Sequence, residues 1–89
     1  MERSRSTPRR TIAVVGGRGG PDTEREGARV RYYGTPKDVG HGELVRLEQA
    51  LRSGGIDRVV LRTRWNAHTV TARIRRLCRG LGIPISFER

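Results

Sequence analysis

Residues 63–87 carry the clearest structural pattern in the chain and constrain its fold more than any other stretch. They predict a loop, a helix, a stop and a strand. Asn66 is placed to cap the helix, and Gly80 with Gly82 to end it. The apolar positions in between follow helical spacing, and they are Val70, Ile74, Leu77, Cys78 and Leu81. One side of this helix is therefore expected to pack against the rest of the protein.

The remaining chain alternates between strand patterns and helix patterns. Apolar runs or alternations predict strands at residues 11–15, 28–33, 56–61 and 83–87. Helices are expected at 21–27, where Pro21 suits a first helical position, and at 43–52. Residues 1–10 are basic and nearly free of apolar side chains, which indicates a disordered arm before a single domain at 11–89.

This alternation predicts an α/β fold, a small Rossmann-like three-layer domain with a four-stranded parallel sheet. The first and third strands are the most apolar, so we expect the order 2-1-3-4, with the second and fourth strands at the edges. Right-handed crossovers then place the second and third helices on one face and leave the apolar-poor segment 21–27 to cover the other. An under-covered face predicts a partner protein or a homo-oligomer, unless arginine stems and the N-terminal arm cover it.

Charge is the strongest compositional signal. Nineteen Lys and Arg residues against nine acidic ones give a formal net charge of +10, and Lys37 is the only lysine. Guanidinium groups bind phosphate in a bidentate manner, which favours a polyanionic partner over a merely solvated surface. The residues expected to contact nucleic acid are Arg3, Arg5, Arg9, Arg10, Arg73, Arg75, Arg76 and Arg79.

A second candidate site lies where the strand order reverses, because ligands of open parallel sheets bind there, beyond the carboxyl ends of the strands. The loops expected to meet are 16–20, 34–41 and 63–68. The glycine run around Arg18 is either a phosphate cradle or a simple turn, and Trp65 either stacks on a base or packs against the helix start. The candidate phosphate- or nucleotide-binding residues are Gly17, Arg18, Gly19, Lys37, His41, Arg64, Trp65, Asn66, His68 and Thr69.

Several function classes are disfavoured. Cys78 is the single cysteine, so no internal disulfide can form, and its place on the apolar stripe predicts a core residue. His68 lies about 15 Å from it along one helix, too far to share a metal ion. No nucleophile stands in an obvious catalytic setting, so we expect no catalytic residue, no metal and no cofactor. No apolar run is long enough to cross a membrane, and a cytoplasmic protein without a membrane partner is expected.

Four short motifs carry a resemblance to a known family. They are Gly16-Gly17-Arg18 after a strand, Asn66-Ala67-His68, a basic helix with Arg75, Arg76, Cys78 and Arg79, and Gly82-Ile83-Pro84 before the last strand. The chain resembles the small bacterial α/β domains of unknown function that form family number twenty-three twenty-five. The resemblance spans most of residues 11–89, and the shortened, apolar-poor stretch after Arg18 departs from it. It implies a Rossmann-like fold and brings no established activity.

The sequence thus favours a non-enzymatic binding domain for a phosphate-bearing partner, nucleic acid above all, through the arginine-rich helix and the N-terminal arm. Arginine contacts to the backbone give affinity without sequence specificity. Two alternatives stay open. One is a protein-interaction or oligomerisation module that uses the under-covered sheet face, and the other is a small-nucleotide sensor at the strand ends.

Overall fold

The computed structural model describes residues 10–88, except the side chains of Lys37, Asp38 and Trp65. The strands are β1 (Thr11–Val15), β2 (Gly20–Arg25), β3 (Ala28–Tyr33), β4 (Arg58–Arg62) and β5 (Ile85–Glu88). The helices are α1 (Pro36–Val39), α2 (Gly42–Arg52) and α3 (His68–Leu81), and a 3₁₀ turn spans Thr63–Trp65. The arm expected at residues 1–10 lies outside the described residues except for Arg10.

The strands form one mixed sheet in the order β2-β3-β1-β4-β5. β3, β1, β4 and β5 are parallel neighbours, whereas β2 runs antiparallel to β3. The α/β class is confirmed, but the prediction of a four-stranded, all-parallel sheet is wrong. The four expected strands keep their relative order, and β2 adds a fifth strand outside β3, which is therefore not an edge strand.

β2 forms where a helix was expected, and a tight turn explains why. Glu26 and Gly27 both have left-handed backbone conformations, with φ of 52° and 81°, and they join β2 to β3 as a two-residue hairpin. Pro21 is tolerated because β2 is an edge strand within the described chain. All six residues of β2 are exposed, so pairing with the backbone of β3, rather than apolar packing, holds this strand.

The core lies on one face of the sheet, under α2 and α3. Its buried members are Ala13, Val15, Tyr33, Val59 and Leu61 from the strands, Leu44, Leu47 and Leu51 from α2, Ile56, and Ile74 and Cys78 from α3. Because side chains alternate along a strand, Ile12, Val14 and Val60 point to the other face. Within residues 10–88 no helix covers that face, so the domain has two layers and the three-layer prediction is wrong.

The apolar stripe of α3 packs as expected along most of its length. Ile74 and Cys78 are completely buried, whereas Leu81 in the last turn is 43% exposed. Gly82 has a left-handed φ of 71° and ends the helix, but Gly80 lies inside it. Ala67, and not Asn66, occupies the N-cap position, and no side chain caps the helix. The prediction of Asn66 as the cap is therefore wrong.

Candidate nucleic-acid interface

The glycine loop after β1 is packed against the loop after β3. Thr35 donates its backbone N–H to the carbonyl oxygen of Gly17 at 2.9 Å, and Gly34 donates its N–H to Oε1 of Glu43 at 2.6 Å. A Cβ atom on Gly19, whose φ is 81°, would lie 2.8 Å from that same Oε1 atom. The loop thus needs glycine in order to approach the Glu43 carboxylate. This negative charge beside the loop argues against a phosphate cradle there.

Asn66 joins the ends of two central strands. Its Nδ2 group donates to the backbone carbonyl oxygens of Val15 and Arg62, both at 2.9 Å. Its Oδ1 atom is buried without a hydrogen-bond partner among the described residues. A carbonyl oxygen accepts hydrogen bonds and repels anions, so Asn66 fixes the loop that leads into α3 and does not present a phosphate-binding group.

The other residues expected at the strand ends separate into two concavities. His41 and Thr69 line one of about 280 Å³, between α2 and α3. Asn66 and His68 line another, of about 410 Å³, on the β5 side of α3. Arg18 and Arg64 are exposed and line neither of them. Lys37 lies in α1 and Trp65 in the 3₁₀ turn, both with side chains outside the description. The expected single switch-point pocket is not formed by the described side chains.

The arginines of α3 divide between two sides of the helix. All four are exposed, as expected. At about 100° per residue, one outer face carries His68, Arg75, Arg76 and Arg79, here called the α3 basic face. Arg73 lies on the opposite flank, where its Nε and Nη2 groups donate to the two carboxylate oxygens of Glu48 in α2, the Nη2 contact at 3.0 Å. Only 7% of the Glu48 side chain is exposed. Arg73 is therefore engaged in an internal ion pair.

An aromatic ring lies beside the α3 basic face. The guanidinium carbon of Arg75 is 5.5 Å from the ring centroid of Phe87, within the range of a cation–π contact. Phe87 belongs to edge strand β5 and is 51% exposed. Together with Thr63, Thr71 and His68, these two residues line the 410 Å³ concavity. The sequence pattern predicts both the strand of Phe87 and the helix of Arg75, but it does not show that these two side chains meet.

Arg10 is separated from the α3 basic face by the sheet. It is exposed and directly precedes β1, and it lines the uncovered side with Arg58. Its backbone carbonyl oxygen accepts a hydrogen bond from the backbone N–H of Arg29 at 2.8 Å. Arg3, Arg5 and Arg9 lie outside the described residues. The described arginines expected to bind nucleic acid thus occupy two opposite faces, and Arg75, Arg76 and Arg79 form the continuous group.

Two buried groups that can titrate are not placed for chemistry. Burial raises the pKa of the Cys78 thiol and keeps it protonated at neutral pH. Burial likewise raises the pKa of Tyr33. Among the described side chains, which exclude Asp38, no group of three or more His, Cys, Asp or Glu residues is arranged to hold a metal ion. No helix in this part of the chain has both the length and the apolar character needed to cross a membrane.

Comparison with known proteins gives no family assignment. No protein-family model, curated protein or solved structure matches this chain. The resemblance to the bacterial family of unknown function therefore stays a prediction.

Proposed function

We propose that this protein binds single-stranded nucleic acid, without reading its sequence, through the α3 basic face and the ring of Phe87. The observation that carries the proposal is the contact between the Arg75 guanidinium and the half-exposed Phe87 ring, 5.5 Å apart, in a concavity next to further cationic groups. Proteins that bind single strands combine these two elements, a positively charged track for the backbone and an aromatic platform for bases.

The phosphate contacts come from Arg75, Arg76 and Arg79. Among the described residues none of these three forms an ion pair, in contrast to Arg73, which is bound to Glu48. Three arginines on one helical face extend over about one turn, roughly 6 Å of helix axis. Such a short track contacts a few successive phosphates and supplies affinity that is strongly dependent on salt.

The base contact comes from Phe87. Stacking of one base on an aromatic ring contributes about 1–3 kcal/mol and tolerates any base, because every base has a π face. Hydroxyl groups of Thr63 and Thr71 line the same concavity and are able to bind phosphate or sugar oxygens. Asn66, the only amide side chain that lines this concavity, uses its Nδ2 group on the carbonyl oxygens of Val15 and Arg62, which is why we propose binding that is independent of sequence.

The small-nucleotide alternative at the strand ends has less support. The Glu43 carboxylate lies against the glycine loop, 2.6 Å from the Gly34 nitrogen, where a phosphate would have to bind. Asn66 uses both of its donated hydrogen bonds on strand carbonyls. The loop cluster therefore contains a negative charge and an acceptor, whereas the α3 basic face contains donors.

The test is fluorescence anisotropy of the full chain with a labelled oligothymidine and oligouridine of roughly twelve nucleotides, measured across a salt series. We expect that Arg75→Gln with Arg79→Gln weakens binding and reduces the slope of log affinity against log salt by about 1.4, or about 0.7 per lost phosphate contact. The matched control is Arg46→Gln with Arg52→Gln, which removes the same charge from exposed positions of α2.

Phe87 provides the second arm of this test. Phe87→Ala is expected to weaken binding about tenfold with little change in the salt slope, and Phe87→Trp to restore it, because stacking is not an ionic contact. Val45→Ala, at a position in α2 that is 47% exposed, is the control for loss of a surface apolar group. Two outcomes would overturn the proposal. One is an equal loss of affinity in the α2 and α3 arginine variants, which would mean that binding depends only on net charge. The other is the absence of binding at low salt.

A further inference from the structure

The side of the sheet opposite α2 and α3, here called the open sheet face, is an apolar strip with a charged rim. Its apolar members are Ile12, Val14, Val30, Tyr32 and Val60, and they line a concavity of about 460 Å³. Val14 is in register with Tyr32 on one side and with Val60 on the other. These three side chains therefore lie next to one another across three parallel strands.

The chain does not supply the layer that normally covers such a strip. Parallel sheets are usually covered by helices on both faces. Here the connection from β1 to β3 contains the exposed hairpin strand β2, which extends the sheet instead of crossing it. Within residues 10–88, Ile12, Val14 and Val60 are thus left without the helix that this connection would provide in a three-layer domain.

The width of the strip suits one helix. Four parallel strands, from β3 to β5, span about 14 Å at a spacing of about 4.8 Å. An α-helix with its side chains is about 10 Å wide. A single helix laid along the strip would cover Val14 and Val60 and would bring its two flanks to the rim.

The charge of the rim favours an acidic partner over a second copy of the chain or its own N-terminal residues. The rim contains Arg10, Arg25, Arg58 and Arg62 against Glu26 and Glu88. Glu88 accepts a hydrogen bond from Arg62 Nε at 3.3 Å, and the Arg62 guanidinium lies 5.8 Å from the Tyr32 ring centroid. A second copy would bring another net charge of +10, and residues 1–9 are themselves rich in arginine. An acidic occupant complements this rim, whereas a basic one is repelled.

We propose that the open sheet face binds an acidic amphipathic helix of a partner protein, in the place that a third-layer helix would occupy. Apolar side chains of that helix pack on Ile12, Val14 and Val60, and its flanking carboxylates bind the arginines of the rim. This surface is separate from the α3 basic face, so the inference does not depend on the proposed nucleic-acid function.

The probe is a synthetic labelled peptide of about fifteen residues, with leucines along one helical face and glutamates on both flanks. Two control peptides accompany it, one of the same composition in scrambled order and one with lysine in place of every glutamate. We expect the amphipathic acidic peptide to bind at least about tenfold more tightly than either control.

Variants of the protein locate the binding. Val60→Arg, at the centre of the strip, and Arg58→Glu, at its exposed rim, are each expected to weaken peptide binding about tenfold. Val45→Arg and Arg52→Glu make the same chemical changes on exposed positions of α2 and are expected to have little effect. Circular dichroism and thermal unfolding verify that Val60→Arg folds, and the exposed Arg58→Glu keeps the test independent of that result.

Three outcomes would overturn the inference. The first is peptide binding that neither Val60→Arg nor Arg58→Glu changes. The second is a loss of peptide binding in the Arg75→Gln, Arg79→Gln variant, which would place the peptide on the α3 basic face. The third is a stable dimer of the free protein in sedimentation that Val60→Arg dissociates, which would assign the open sheet face to a second copy.

Discussion

Single side chains decide what the loops at the strand ends can bind. Asn66 and Glu43 are both polar residues whose types suit a ligand site, and the sequence predicted Asn66 as a phosphate-binding residue. In the fold, Asn66 donates to the carbonyl of Val15, 51 positions earlier in the chain, and Glu43 accepts from Gly34. Neither contact can be read from the spacing of residues in the sequence, so residue type alone could not separate a structural role from a binding role.

The burial of a single phenol, that of Tyr33, makes the stability of the protein depend on pH. Tyr33 is 8% exposed, and desolvation raises the pKa of its phenol above the usual 10.0, although Arg31 opposes this. In the unfolded chain the phenol ionises first, so above about pH 10 the unfolded state binds fewer protons and stability falls as pH rises. We expect Tyr33→Phe to show a smaller loss of melting temperature between about pH 8 and about pH 11 than the unaltered protein.

The comparison is not affected by Cys78, whose thiol pKa is also raised by burial. Its contribution to stability is likewise lost as pH rises, but the thiol is present in both proteins, so this contribution cancels in the difference between them. Parallel curves for Tyr33→Phe and the unaltered protein would show that the phenol does not govern the alkaline loss.

At the scale of elements, α2 and α3 are held together by an ion pair as well as by apolar packing. Arg73→Ala would leave the Glu48 carboxylate, whose side chain is 7% exposed, without its partner. Because Arg73 itself is 61% exposed, solvent screens part of the interaction, and we expect a loss of about 1–2 kcal/mol in the free energy of unfolding by urea.

Arg76→Ala is the matched control, since Arg76 lies on the outer face of the same helix and is exposed. It is expected to change the free energy of unfolding by less than about 0.5 kcal/mol. In a double-mutant cycle, Glu48→Gln should remove much of the loss caused by Arg73→Ala. Equal destabilisation by Arg73→Ala and Arg76→Ala would contradict the structural role of the pair.

Most elements could be predicted from the sequence because their patterns are local. Residues 11–15 and 28–33 form strands with the expected bounds, and the helical spacing around Ile74 and Cys78 identifies the buried side of α3. β2 was missed because its turn places Glu26 in a left-handed conformation, which a glutamate rarely adopts and which sequence spacing does not signal. Phe87 was missed as a site residue because its neighbour Arg75 comes from another element.

At the scale of the whole molecule, the change of one connection from a helix to a strand separates the two proposed binding surfaces. β2 pairs with β3 and leaves one side of the sheet without a helix, while the other side carries α2 and α3. The α3 basic face and the open sheet face therefore lie on opposite sides of a two-layer domain. The two proposed partners would therefore not compete for the same residues, because neither surface includes residues of the other.

The net charge of +10 predicts how stability responds to salt. Arginines repel one another over a Debye length of about 30 Å at 0.01 M salt and only about 10 Å at 0.1 M, so added sodium chloride should raise the melting temperature. The Arg75→Gln, Arg79→Gln variant carries two fewer charges and should show a smaller rise. A melting temperature that falls with salt would instead mean that ion pairs such as Arg62 with Glu88, 3.3 Å apart, outweigh the repulsion. Differential scanning calorimetry distinguishes a melting temperature that rises with salt from one that falls. If salt stabilises the protein by screening the repulsion between arginines, a bound polyanion should stabilise it for the same reason.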